Sequence, residues 1–267
     1  MLVREPAVAG MFYPDDPELL HRQLDHFLSN ANSSSDKETV VPKALIVPHA
    51  GYVYSGPIAA SAYQLLVPVA QRLSKVILLG PSHRVPLTGL AAPTSSFFRT
   101  PLGDIPIDRE GIDKLVKQSL ITVDDLPHQF EHSLEVQLPF LQTTLDDFMV
   151  LPLVIGSASS HQVAEVLRTV WGGNETLIIV SSDLSHYHSY LEARRIDQNT
   201  TAMIESFADN INDKQACGHK GINGLLKLTC EKGMSIKTLD LRNSGDSVEA
   251  LGVDKNKVVG YGAYAVY

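Results

Sequence analysis

The chain has 267 residues, of which 44% are hydrophobic and 19% charged. With a mean hydropathy of zero, it has ample apolar material for a folded core, which excludes disorder, collagen-like repeats and small disulfide scaffolds. A formal charge of −8 and no run of Lys or Arg longer than two argue against a nucleic-acid partner.

The predicted elements follow in chain order. Residues 16–28 read as a helix opened by Asp15, Asp16 and Pro17, the proline being tolerated in the first turn. Residues 30–37 (NANSSSDK) offer nothing to bury and read as a flexible loop. Short apolar runs at 44–47, 75–79, 150–155 and 177–180 suit strands buried on both faces. Helical spacing recurs at 57–66, 109–118, 134–143, 162–170 and 191–207. Residues 236–241 and 258–266 read as late strands, with a turn at 243–246 between them. Alternation of strand and helix predicts an α/β layered fold in one domain, 1–267, whose central sheet is mostly parallel and flanked by helices. The apolar runs span four to six residues, far short of the roughly 20 needed to cross a bilayer, so no membrane partner is expected. Charges and a proline near the N-terminus, together with two cysteines only, predict a cytoplasmic protein.

In open α/β sheets ligands bind beyond the carboxyl ends of strands. Three such ends carry a histidine here: His49 follows the first run, His83 the second, and Asp183 with His186 the fourth. Imidazole both ligates metals and exchanges protons near neutral pH, so this convergence points to metal binding or acid-base catalysis. A third, anionic ligand would complete a facial set suited to iron(II); the candidates are Asp246, Asp183, Cys217 and Glu131. His132 precedes Ser133, a prospective helix cap that would leave Glu131 and His132 facing a cleft. Cys217 stands where a helix N-terminus would lower its pKa, although a small buried thiol is the commoner role.

The blocks Ala9-Gly10-Met11-Phe12-Tyr13-Pro14, Pro48-His49-Ala50-Gly51-Tyr52, Gly80-Pro81-Ser82-His83, Glu131-His132-Ser133-Leu134-Glu135 and Ser182-Asp183-Leu184-Ser185-His186 resemble the Memo family, in the family's order. The resemblance implies a fold like the catalytic subunit of class III extradiol dioxygenases, non-haem iron enzymes that open catechol rings. It implies a pocket with two histidines matching His49 and His83, an aspartate-histidine pair matching Asp183 and His186, and a third residue near the C-terminus. The animal member has a cysteine there and is described as binding copper or iron; Asp246 aligns with that cysteine here, with Ser244 two residues away. The expectation is therefore iron(II) on His49, His83 and Asp246, with Asp183, His186 and His132 moving protons for an oxidoreductase acting on an unknown small molecule. Zinc or copper are the other metals in view. The competing expectations are a module binding a peptide or a metal without turnover, and a zinc-dependent hydrolase. The resemblance also implies a functional link to radical-SAM and AMMECR1-like proteins.

Overall fold

The structure, a computed structural model, describes residues 2–31, 40–247 and 254–267, so most of the loop expected at 30–37 lies outside the described residues. The first half comprises β1 (Val3–Arg4), α1 (Pro17–Asn30), β2 (Ala44–Val47), α2 (Tyr52–Tyr63), β3 (Lys75–Pro81), β4 (Leu90–Ala92), β5 (Phe97–Thr100), β6 (Gly103–Pro106), α3 (Arg109–Lys117) and β7 (Thr122–Val123). The second comprises α4 (Leu126–Gln129), α5 (Leu138–Thr144), β8 (Met149–Ile155), α6 (Ser160–Thr169), β9 (Thr176–Ser181), β10 (His186–His188), α7 (Tyr190–Glu205), α8 (His219–Glu231), β11 (Ile236–Asn243) and β12 (Val258–Val266).

The large sheet runs β10-β12-β2-β9-β3-β8-β4-β7, with β11 also on β12; a smaller sheet runs β1-β5-β6. Its centre, β2-β9-β3-β8, is parallel throughout, while β12 and β4 join antiparallel on either side. Every residue of β2 and β9 is buried, as continuous apolar runs require when helices cover both faces. Helices α1, α2 and α5 pack together, as do α6 and α8, and α7 lies on β11 and β12. No helix among the described residues is long and apolar enough to cross a membrane.

Helix α1 begins as its sequence predicts, with the Asp16 carboxylate accepting from Leu19 N at 2.8 Å. Helix α2 starts five residues before the expected Pro57, which it carries inside. Proline supplies no N–H to the carbonyl four residues earlier, and the Ser247 hydroxyl donates to that Val53 oxygen at 2.7 Å instead. The helix expected at 134–143 divides into a 3-10 turn, Glu135–Gln137, and α5, with Pro139 in the first turn of α5. Ser133 is not a cap: its hydroxyl donates to Pro81 O at 2.9 Å and ties this segment to the end of β3.

Candidate metal centre

The carboxyl ends of the central parallel strands deliver the site. His49 stands two residues beyond β2, His83 two beyond β3, and His132 reaches them from the segment between α4 and α5. One ligating atom from each of the three lies within 4.8 Å of the others. The His83 and His132 rings are stacked with centroids 4.7 Å apart, and the His49 ring stands edge-on to both. His49 is buried, His132 half-buried and His83 exposed, so the cluster opens outward through His83.

Hydrogen bonds decide which nitrogens are free. The Ser181 hydroxyl gives its single proton to Ser133 O, an acceptor only, at 2.5 Å. It must then accept from His49 Nδ1, 2.9 Å away, which makes His49 the Nδ1–H tautomer and leaves Nε2 as a lone pair. The Gln137 amide also donates to Ser181 Oγ, at 2.8 Å, and to Pro48 O, at 2.9 Å, while its oxygen accepts from Tyr63. His83 gives Nδ1–H to Glu131 Oε1 at 2.9 Å, again freeing Nε2. Glu131 is the hub of this side: it also accepts from the main-chain N–H of His83, His132 and Ser133. Burial alone would raise its pKa, but the His83 and main-chain hydrogen bonds more than offset that and hold it at about 2. His132 Nδ1 is buried 3.3 Å from Glu131 Oε1 and makes no hydrogen bond.

Burial, then repulsion from His83, His132 and His186, pushes the His49 pKa well below its ordinary value. Burial likewise brings His132 down to about 4. Both are therefore neutral at pH 7, the form in which imidazole ligates a metal. Convergent imidazoles, two of them neutral, with Nδ1–H groups held by a serine and a carboxylate, suit a metal-ligand set with its supporting acceptors in place.

Asp183 and His186 flank this cluster. Asp183 Oδ1 accepts from His49 N at 2.8 Å, and burial pushes its pKa up to about 7. His186 opens β10 beside β12, and burial lowers its pKa. Asp246, the expected third ligand, is not among the residues this cluster brings together. Its Oδ1 accepts from the Tyr190 hydroxyl at 2.6 Å and its Oδ2 from Asn243 N at 3.0 Å, in a recess shared with Arg194 and Asp197. The turn at 243–246 closes on itself through these bonds, and His132 stands with His49 and His83 instead. Cys217 sits close by, its Sγ 3.3 Å from His49 Nε2. Burial pushes its thiol up to about 12, opposite to the lowering expected at a helix N-terminus. Ser181 and Gln137 did not stand out in sequence, although a glutamine among Leu134, Val136 and Leu138 is the usual mark of a buried, fully bonded amide.

A parallel-centred α/β sheet with a three-histidine cluster at its carboxyl edge defines an α/β protein whose strand ends could hold a metal ion. The chain belongs to the Memo family: the Memo-like protein model matches residues 4–265. It is similar to MEMO1 family proteins of Aquifex aeolicus, with 37% identity over 98% of both chains, and of Methanosarcina barkeri, with 35% identity over 99% of this chain and all of the other. The fold is also similar to that of an uncharacterized Escherichia coli K12 protein, with a TM-score of 0.53 at 13% identity, covering 84% of this chain and 99% of that one.

Proposed function

We propose that His49, His83 and His132 hold one divalent metal ion, iron(II) in the first instance, and that the protein is a metal-dependent oxidoreductase of dioxygenase-like type acting on a small molecule. The observation that carries this reading is the convergence of three imidazoles, two of them with Nδ1–H held by Ser181 and Glu131 so that the ligating lone pair is on Nε2. When bound, such an ion supplies a centre at which a chelating substrate and dioxygen meet. The chain's own groups do the rest. Ser181 and Glu131 fix the ring orientations, and Asp183 anchors the main chain of His49. Asp183, poised near neutrality, and His186, a neutral imidazole, are the groups that hold and move a substrate proton.

A donor set of three histidines without a carboxylate favours a second reading. The same set activates water on zinc, which makes a zinc-dependent hydrolase the alternative. Metal analysis by mass spectrometry on untagged protein purified anaerobically, beside His49→Ala, His132→Ala and Asp246→Ala, tests the site. About one iron per chain is expected in the parent and in Asp246→Ala, with loss in both histidine variants. Zinc in place of iron, with turnover that needs no dioxygen, would support the hydrolase. No metal in any chain, or retention in His132→Ala with loss in Asp246→Ala, would overturn the three-histidine centre.

A further inference from the structure

Beside the histidine cluster lies a second chamber. A cavity of about 340 Å³ opens at the carboxyl ends of β3, β8 and β9, floored by Leu79, Val85, Leu87, Ile155 and Val180. Its size falls near the lower end of the roughly 300–1,000 Å³ typical of small-molecule sites. Ser181 and Cys217, which contact the two ring nitrogens of His49, also line it, so one wall is common to the cavity and the metal centre.

The charges around this cavity are one-sided. In a chain of net charge −8, no Asp or Glu lines it among the described residues, whereas Lys220 does. The Lys220 ammonium gives one hydrogen bond to Gly156 O at 2.9 Å and has two further N–H groups to offer. His219, whose Nδ1 lies 3.1 Å from Ala216 O, adds no second charge near neutral pH, because burial lowers its pKa below the ordinary value. The first turn of α8, which carries both residues, has no side-chain cap and forms the same wall, an end of a helix that favours negative charge.

We propose that this cavity binds a small monoanionic organic acid, its apolar body on the leucine, valine and isoleucine floor and its carboxylate paired with Lys220. The ligand is then the substrate, or a piece of it, of the neighbouring metal centre; in that respect the inference rests on the proposed function, although the binding itself does not require metal. A carboxylate is favoured over a phosphate dianion because the cavity supplies one full positive charge and its remaining lining is mostly apolar.

Titration calorimetry with benzoate, methyl benzoate and phenyl phosphate tests this on the parent, on chelator-stripped parent, and on His83→Ala, Lys220→Met and Lys220→Arg. Saturable benzoate binding is expected in the parent, the stripped parent and His83→Ala. It should weaken at least tenfold in Lys220→Met and recover in part in Lys220→Arg, and methyl benzoate should not bind. Thermal melts of the two lysine variants establish that they are folded. Unchanged benzoate binding in a folded Lys220→Met would overturn the proposal. So would binding that disappears on stripping and in His83→Ala, which would mark benzoate as a metal ligand only. Tighter binding of phenyl phosphate than benzoate would overturn the carboxylate assignment. Because the cavity is read without metal, its failure is distinguishable from failure of the metal centre.

Discussion

Glu131→Gln is the sharpest single test of how the metal centre is held. The carboxylate accepts four hydrogen bonds: Oε1 takes three, from His83 Nδ1, His132 N and Ser133 N, each at 2.9 Å, and Oε2 takes one from His83 N at 2.6 Å. An amide has one accepting end. The substituted side chain would place its oxygen against the three donors and its NH₂ against the His83 N–H, leaving that donor without an acceptor. Leaving a buried donor unpaired costs about 1–3 kcal/mol, and hydrogen bonds to a charged acceptor are worth about 1.5–3 kcal/mol each, of which the neutral amide recovers only part. A net loss of about 3 kcal/mol is expected, comparable to what a carboxylate held at about 2 contributes at neutral pH. The sign follows from the lowered pKa: this stability is present above the ordinary carboxylate range and is lost as pH falls toward 2. Urea unfolding at pH 7 measures the loss. Metal affinity, read by competition with a chromophoric chelator, should fall 10- to 100-fold because a neutral amide oxygen holds the His83 ring and the main chain of His132 more weakly and the His83 N–H is left unpaired. Stability within about 0.5 kcal/mol of the parent and affinity within twofold would refute the account of Glu131 as the hub.

Three further outcomes are expected. A Cβ at Gly80 would lie 2.6 Å from Ser133 Oγ and 2.9 Å from Leu134 Cδ2, so Gly80→Ala should destabilise by about 1–3 kcal/mol and loosen metal binding by pushing the His132 segment off β3, as paired melts and metal titrations would show. Burial raises the Asp197 pKa to about 6, so its proton is held more tightly in the folded chain and stability falls as pH rises from about 4 through 6; Asp197→Asn should therefore gain about 3 kcal/mol on the parent between pH 4 and 7 in urea titrations. Ser247→Ala removes the donor to Val53 O and should cost about 1 kcal/mol by thermal unfolding while leaving metal content unchanged.

Much of the fold was legible because its central strands are continuous apolar runs. Residues 44–47 are β2 to the residue, and the 75–79, 150–155 and 177–180 runs lie inside β3, β8 and β9. Helix boundaries were less so where proline intervened: Pro57 reads as a start, yet a hydroxyl nearly two hundred residues away supplies what its ring lacks. At the site, His49 and His83 were visible as polar residues at strand ends, a position that the sheet geometry makes informative. His132 was read as a proton-moving residue rather than a ligand, because a loop histidine joins such a cluster through tertiary packing that no local pattern encodes. Asp246 misled for the converse reason: a turn aspartate satisfies itself locally, here on Asn243 N and Tyr190, whatever lies across the sheet.

Arg4 has a consequence for how the chain is made. Its guanidinium donates to His128 O and Glu131 O and pairs with Glu135, partners that lie 124 to 131 residues downstream. During synthesis the Arg4 side chain therefore emerges with nothing to hold, and about half the polypeptide must leave the ribosome before its partners exist. Closing so long a loop is slow, and the cationic side chain stays solvated meanwhile. The His132 segment and the N-terminus can therefore lock together only after the middle of the chain has emerged, long after the part synthesised first.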